Sequence, residues 1–220
     1  MSKADILNTI RRGLGRGLPS DAERQQVLAR ITRHERNLIP MRGQGSESEV
    51  QALFIEMAKE AAAEVIELPS LQALPGAVRE WLQTANIPDL VMASDEELKS
   101  LDWTELHPIV QHERVALAGD LASLTLAFMG IAETGTLMLY SRKESPTTLN
   151  FLPDNHLVVL KRQDIVGVYE EAWARVRALS PGQLPRTVNM ITGPSRSADI
   201  EQRLQMGAHG PRALTIFLIG

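Results

Sequence analysis

The sequence contains no cysteine. Disulfides, thiolate nucleophiles and cysteine-ligated zinc are therefore excluded on this chain. Iron–sulfur clusters are excluded with them, because even Rieske centres keep two cysteine ligands. Any redox role must pass electrons through a partner or a diffusible cofactor. Long apolar runs are missing too: none approaches the roughly 20 residues of a membrane helix, and residues 1–17 lack the apolar stretch of a secretory signal. A cytoplasmic protein without a membrane span is the expectation. Residues 1–42 have no aromatic side chain and few acids. They hold nine Lys and Arg against four Asp and Glu, a charge of +5 that leaves −9 for the rest of the −4 total. Without aromatics to stack on bases, and with acids interleaved, this segment reads as a solvated helical face or a partner-docking arm rather than a nucleic-acid surface.

Hydrophobic residues at 44% and charged residues at 23% are ordinary globular values, and 220 residues can bury a real core. Ile6, Leu7, Ile10 and Leu14 form one helical stripe. Ser20 with Glu23 spells a capping box for a second helix, whose apolar face is Val27, Leu28, Ile31 and Leu38 and which stops before Pro40. Residues 41–48 read as a linker, so the division expected is an N-terminal helical arm and linker over 1–48 and an α/β domain over 49–220. Two thin stripes cannot hold a core alone, which favours docking on the main domain or on another subunit, possible homo-oligomers included. From residue 49 helix and strand alternate: helix 49–63, strand 64–68, helix 75–85, strand 89–93, a short helix after Ser94, strand 115–118, an apolar helix around 121–129, strands 136–140 and 157–160, helix 164–179, strands 188–192 and 214–219. That alternation predicts an open, mostly parallel sheet flanked by helices.

Four constellations can carry chemistry. Gly193-Pro194-Ser195-Arg196-Ser197-Ala198-Asp199 follows a strand and opens a polar segment that reads as a helix, in a β-loop-α-loop-β unit spanning 187–220. Gly193 permits a tight turn or a close ligand, Pro194 fixes the chain direction, Ser195 can cap, and Arg196 can grip a carboxylate or phosphate bidentately. Asp199 and Glu201 equally suit a capped helix with acids on its positive end. Ligands in open α/β sheets bind outside the carboxyl ends of the strands, where this loop is expected to lie. In Glu133-Thr134-Gly135-Thr136 a lone carboxylate sits between apolar stretches, as acid, base or nucleophile, or as an acceptor for turn backbone, with Gly135 admitting a substrate near the chain. His156 opens an apolar strand as a proton shuttle, ligand or turn cap. His209, followed by Gly210, Pro211 and Arg212, places an imidazole beside a guanidinium. His34, His107 and His112 show no ligand spacing with each other or with His156 and His209, so no metal site is expected.

The motifs ETGTLML at 133–139, FLPDNHLVVL at 151–160, ITGPSRSADIE at 191–201 and GAHGPRAL at 207–214 together resemble those of the LUD-domain family, and within it the lactate utilization protein C subfamily. The start, ILNTIRRGLGRG at 6–17, is similar to that subfamily's short basic N-terminal helix. Residues 119–124 depart from the family's usual T-G-A-D. The resemblance implies a fold like the NagB, ribose-5-phosphate isomerase and CoA-transferase group. It also implies a part in oxidising L-lactate to pyruvate beside two partner proteins, at least one of them carrying iron–sulfur clusters, with no such cofactor on this chain. A small anionic ligand is expected between the Glu133 and Gly193–Arg196 loops, with Arg196 on its carboxylate or phosphate and Glu133 or His209 handling a proton. Thr134, Gly135, Thr136, His156, Gly193, Pro194, Ser195, Asp199 and Arg212 complete the candidate site. CoA transferases use a Glu in an E-x-G turn as nucleophile, so a stand-alone enzyme of that kind, or of the sugar-phosphate-isomerase kind, is the alternative, as is a structural or regulatory factor with no catalytic site.

Overall fold

The computed structural model describes residues 2–179, 183–197, 205–206 and 209–220. The chain divides into two compact units, Met1–Leu38 and Ile39–Gly220. In the first, α1 (Lys3–Gly13) and α2 (Asp21–Arg33) bury none of their residues. Both start at capping boxes. Ser20 and Glu23 form the expected one, and Ser2 with Asp5 forms another with the shorter acid.

The second unit runs α3 (Glu47–Glu60), β1 (Glu64–Leu68), α4 (Leu74–Thr84), β2 (Asp89–Met92), α5 (Glu96–Lys99), β3 (Val110–His112), β4 (Ala122–Leu126), β5 (Met129–Ile131) and β6 (Thr136–Tyr140). It continues through β7 (Asn155–Lys161), β8 (Ile165–Val166), α6 (Tyr169–Leu179), β9 (Val188–Ile191), β10 (Arg196–Ser197), β11 (Gln205–Met206) and β12 (Ala213–Ile219). Six strands in the order β1-β12-β7-β4-β2-β3 make one sheet, parallel at every junction. The expected open, mostly parallel α/β architecture is therefore present. Its central strands alternate between two cores, as a period of two on a doubly covered sheet requires. Leu157, Val159 and Phe217 pack with Leu74, Val78 and Leu82 of α4, whereas Val158, Leu160, Ile216 and Leu218 pack with Phe54 and Ala58 of α3.

A second sheet, ordered β8-β5-β6-β9, is mixed: β6 runs antiparallel to both β5 and β9. It leans on α6 through Met129, Ile131, Met138, Ala172 and Val176. Strand β9 therefore belongs to a different sheet from β12, which divides the unit expected over 187–220. Between them β10 and β11 pair antiparallel.

Three local expectations are corrected. Residues 122–126 and 129–131 are strands, not a helix: β4 pairs with β2 and β7 at its edges and its consecutive residues Ala122 to Thr125 are all buried, so both faces are covered and its apolar run loses strand alternation. Residues 115–118 form no strand, and the chain pairs earlier, at β3. There Asp120 gathers the loop, accepting from the Arg114 guanidinium at 2.8 Å on each oxygen and from the Leu117 N–H at 2.7 Å. The Arg114 hydrogen bonds hold the Asp120 carboxyl below its ordinary pKa. Helix α6 starts at Tyr169 rather than 164, because Ile165 and Val166 pair with β5 and Gly167 meets Gly43 too closely to carry a side chain. Gly43, in the stretch expected as linker, is buried in that contact.

Candidate functional site

A cavity of about 210 Å³ opens where the two sheets meet. Met190 and Ile191 of β9 with Thr192, Gly193, Pro194 and Ser195 form one wall, and His209, Gly210 and Pro211 form the facing one. The Ser195 N–H donates to the Pro211 carbonyl at 2.8 Å and ties the walls together. His156 and Leu214, side by side in the β7–β12 register, lie at the base with Asn150 and Phe151. The cavity is thus at the carboxyl end of β9, but at the amino ends of β7 and β12 in the large sheet. The carboxyl-end rule holds for the small sheet alone, because the strand that delivers Gly193 is not part of the large one.

Strand β4 supports two residues of the base by hydrogen bonds. Ser123 and Thr125, two apart, face the same side. The Ser123 hydroxyl donates to the Leu149 carbonyl at 2.6 Å, which fixes the Thr147–Asn150 turn and so Asn150. Thr125 Oγ1 lies 2.8 Å from His156 Nε2. His156 is fully buried and Asn150 nearly so, and His156 Nδ1 and Asn150 Oδ1 have no hydrogen-bond partner. Burial alone pushes the His156 pKa down to about 3, so the imidazole is neutral at physiological pH.

The Glu133 turn has another arrangement. Glu133 is buried. Its Oε1 accepts the Tyr169 N–H at 3.0 Å, an otherwise orphaned donor at the start of α6, and its own N–H donates to Gly167 O at 3.0 Å. Gly135, at φ +63°, is required by the backbone of α3: an added Cβ would lie 2.3 Å from Ala58 N. Thr134, Thr136, Tyr169 and Thr192 make a hydroxyl cluster with contacts of 2.7, 3.0, 2.9 and 2.6 Å. Replacing Glu133 by alanine leaves the Tyr169 N–H unpaired and is expected to cost about 2 kcal/mol. Glu133→Gln keeps an acceptor oxygen and should recover most of that in urea unfolding. Equal losses for the two variants would remove this anchoring role.

Of the sequence candidates, His156, Gly193, Pro194, Ser195 and His209 line the cavity. Thr136 reaches it through Thr192, and Thr134 stands one hydroxyl further back. Glu133, Gly135, Arg196 and Arg212 are not among the lining residues. Arg196 donates to the Ala61 carbonyl, beside which Gly193, at φ +72°, has no room for a Cβ. Arg212 is exposed, 3.7 Å from Asp154. Asp199 lies outside the described residues. Sequence reasoning passed over Asn150, Phe151, Met190 and the pair Ser123 and Thr125. The available signal was Ser-x-Thr inside an apolar run, polar at a period of two. Among the described residues no group of three His, Asp or Glu is placed to hold a metal ion.

An open parallel α/β domain with a cavity between its large sheet and a mixed second sheet is the class these features define. The LUD domain model matches residues 51–219. The chain belongs to the LUD domain family. Lactate utilization protein C of Geobacillus thermodenitrificans is 39% identical over 98 residues, 43% of this chain. The chain spans only 41% of the length of that relative. Lactate utilization protein C of Exiguobacterium sp. is 24% identical over 99% of this chain and 96% of its own length. A crystal structure of a DUF162 family protein from Deinococcus radiodurans shares the fold with TM-score 0.61 at 24% identity, covering 80% of this chain and all of that one. No helix among the described residues is long and apolar enough to cross a membrane.

Proposed function

We propose that this chain is the component without iron–sulfur clusters of a cytoplasmic multi-protein system oxidising L-lactate to pyruvate, and that its cavity holds a small anionic ligand of that system. The observation carrying this reading is the nearly end-to-end similarity to a protein named lactate utilization protein C. The chemistry is compatible. Oxidising lactate releases two electrons and two protons, and a chain without thiolates has no cluster to receive the electrons. They pass to an iron–sulfur partner. A Glu133 carboxylate engaged by the start of α6, away from the cavity lining, supports a binding component rather than a stand-alone enzyme using Glu133 as nucleophile. His209, exposed at the cavity rim, is the described side chain best placed to meet a carboxylate there.

A strain lacking this chain should fail to grow on L-lactate while growing normally on pyruvate. Co-purification should recover iron in partner subunits and none on this chain. Normal growth on lactate after deletion would contradict the proposal.

A further inference from the structure

Two large apolar side chains of the cavity stand partly in water. Phe151 and Met190 both line it, and each is 41% exposed. Ile191, Pro194, Pro211 and Leu214 extend the apolar lining. A ligand that covers Phe151 and Met190 gains with every patch of apolar surface taken out of water. Among the described residues no Lys or Arg lines the cavity, so a doubly charged group such as a phosphate meets no fixed cation there. The shape adds a second condition. The two walls meet at one end, where the Ser195 N–H donates to the Pro211 carbonyl at 2.8 Å and a Cβ on Gly210 would stand 3.3 Å from Ser195 Cβ. Walls that close on each other leave a slot between them, and a flat group makes contact with both sides of a slot. The volume, about 210 Å³, is below the roughly 300–1,000 Å³ of pockets for drug-sized ligands, which is room for one ring rather than two. An aromatic ring is flat and apolar, packs offset or edge-on against a phenylalanine, and takes a methionine sulfur at its edge.

Resting on the reading that this cavity holds the chain's anionic ligand, we infer that the ligand is a single aromatic ring bearing at most one negative charge, with Phe151 and Met190 as the side chains that recognise the ring. The charged substituent points to the rim, where solvent and the exposed His209 meet it. Phe151 and Met190 are then specificity-determining residues: they set which ligand body the slot accepts and do no chemistry themselves.

Calorimetric titration of the purified full chain with benzoate, cyclohexanecarboxylate, phenyl phosphate and L-lactate tests this. Benzoate should bind at least about tenfold more tightly than L-lactate, because a ring takes far more apolar area out of water than a methyl group. It should also bind at least about threefold more tightly than cyclohexanecarboxylate, a puckered ring of equal charge, and no more weakly than phenyl phosphate. Phe151→Ala and Met190→Ala should each weaken benzoate at least about threefold and leave L-lactate unchanged. Both residues lie outside the buried core, and the comparison on the parent chain needs neither variant. Benzoate and L-lactate bound alike would keep an anionic ligand and overturn the ring. Cyclohexanecarboxylate bound as tightly as benzoate would overturn the flat slot, and phenyl phosphate bound more tightly would overturn the limit of one charge. Benzoate affinity that survives both substitutions overturns the assignment of Phe151 and Met190. Failure of both benzoate and L-lactate to bind at millimolar concentration overturns the inference and the anionic ligand together, while growth of the deletion strain still reports separately on the lactate role.

Discussion

Between pH 6.5 and pH 3 the protein should lose up to about 5 kcal/mol of stability through a single side chain, His156. Its imidazole is buried and neutral, and desolvation pushes its pKa down to about 3 from an ordinary 6.5. The unfolded chain therefore binds a proton that the folded chain refuses. The contribution of the neutral group is complete above pH 6.5 and is lost progressively as the pH falls towards the folded value. Between pH 6.5 and 5, before most carboxylates titrate, the slope should approach 1.4 kcal/mol per pH unit, about the value for one proton. Urea unfolding of the parent and of His156→Gln across this range gives the result directly. The variant loses the slope whatever its absolute stability. A parent slope near zero, or one that survives the substitution, contradicts a buried neutral His156.

Gly135→Ala should be the most damaging small substitution in the turn that begins at Glu133. At φ +63° an alanine pays for a left-handed conformation, about 1–2 kcal/mol, and its Cβ would sit 2.3 Å from Ala58 N and 2.5 Å from Met57 C. Those atoms are helix backbone and cannot swing aside as a side chain would, so overpacking adds about 1–3 kcal/mol. The sum, about 2–5 kcal/mol, corresponds to a fall in melting temperature on the order of 10 °C for a domain of this size. Gly119→Ala is the internal control: its φ is +97°, but nothing lies within 4 Å of the added carbon, so its loss should be confined to the conformational part. Equal losses at the two positions would show that the close approach of the turn to α3 does not matter.

These two residues also show what could and could not be read from the sequence. Strands β1, β2, β6, β7, β9 and β12 were visible because each is a short apolar run between breakers. The β4 run was not, because a strand covered on both faces carries no alternation, and its Leu and Ala content suits a helix equally. The loops of the site were visible as motifs. Gly135 and Gly193 announced a close approach, as glycines do, but not what approaches: the C-terminal end of α3 takes both places that a ligand was expected to take. His156 stood out as a lone imidazole at a strand start. Its partner Thr125 comes from β4, and Asn150 from a turn fixed by Ser123. That pairing depends on the parallel register of β4 with β7, which no local pattern encodes.

The central claim is that function resides in the cavity floored by His156 and Asn150, not in the Glu133 carboxylate. The most direct measurement is growth on L-lactate of a strain lacking this chain and complemented with either Glu133→Gln or Asn150→Leu, with protein levels matched. Glu133→Gln should restore growth and Asn150→Leu should not. Growth restored by Asn150→Leu and lost with Glu133→Gln would contradict it.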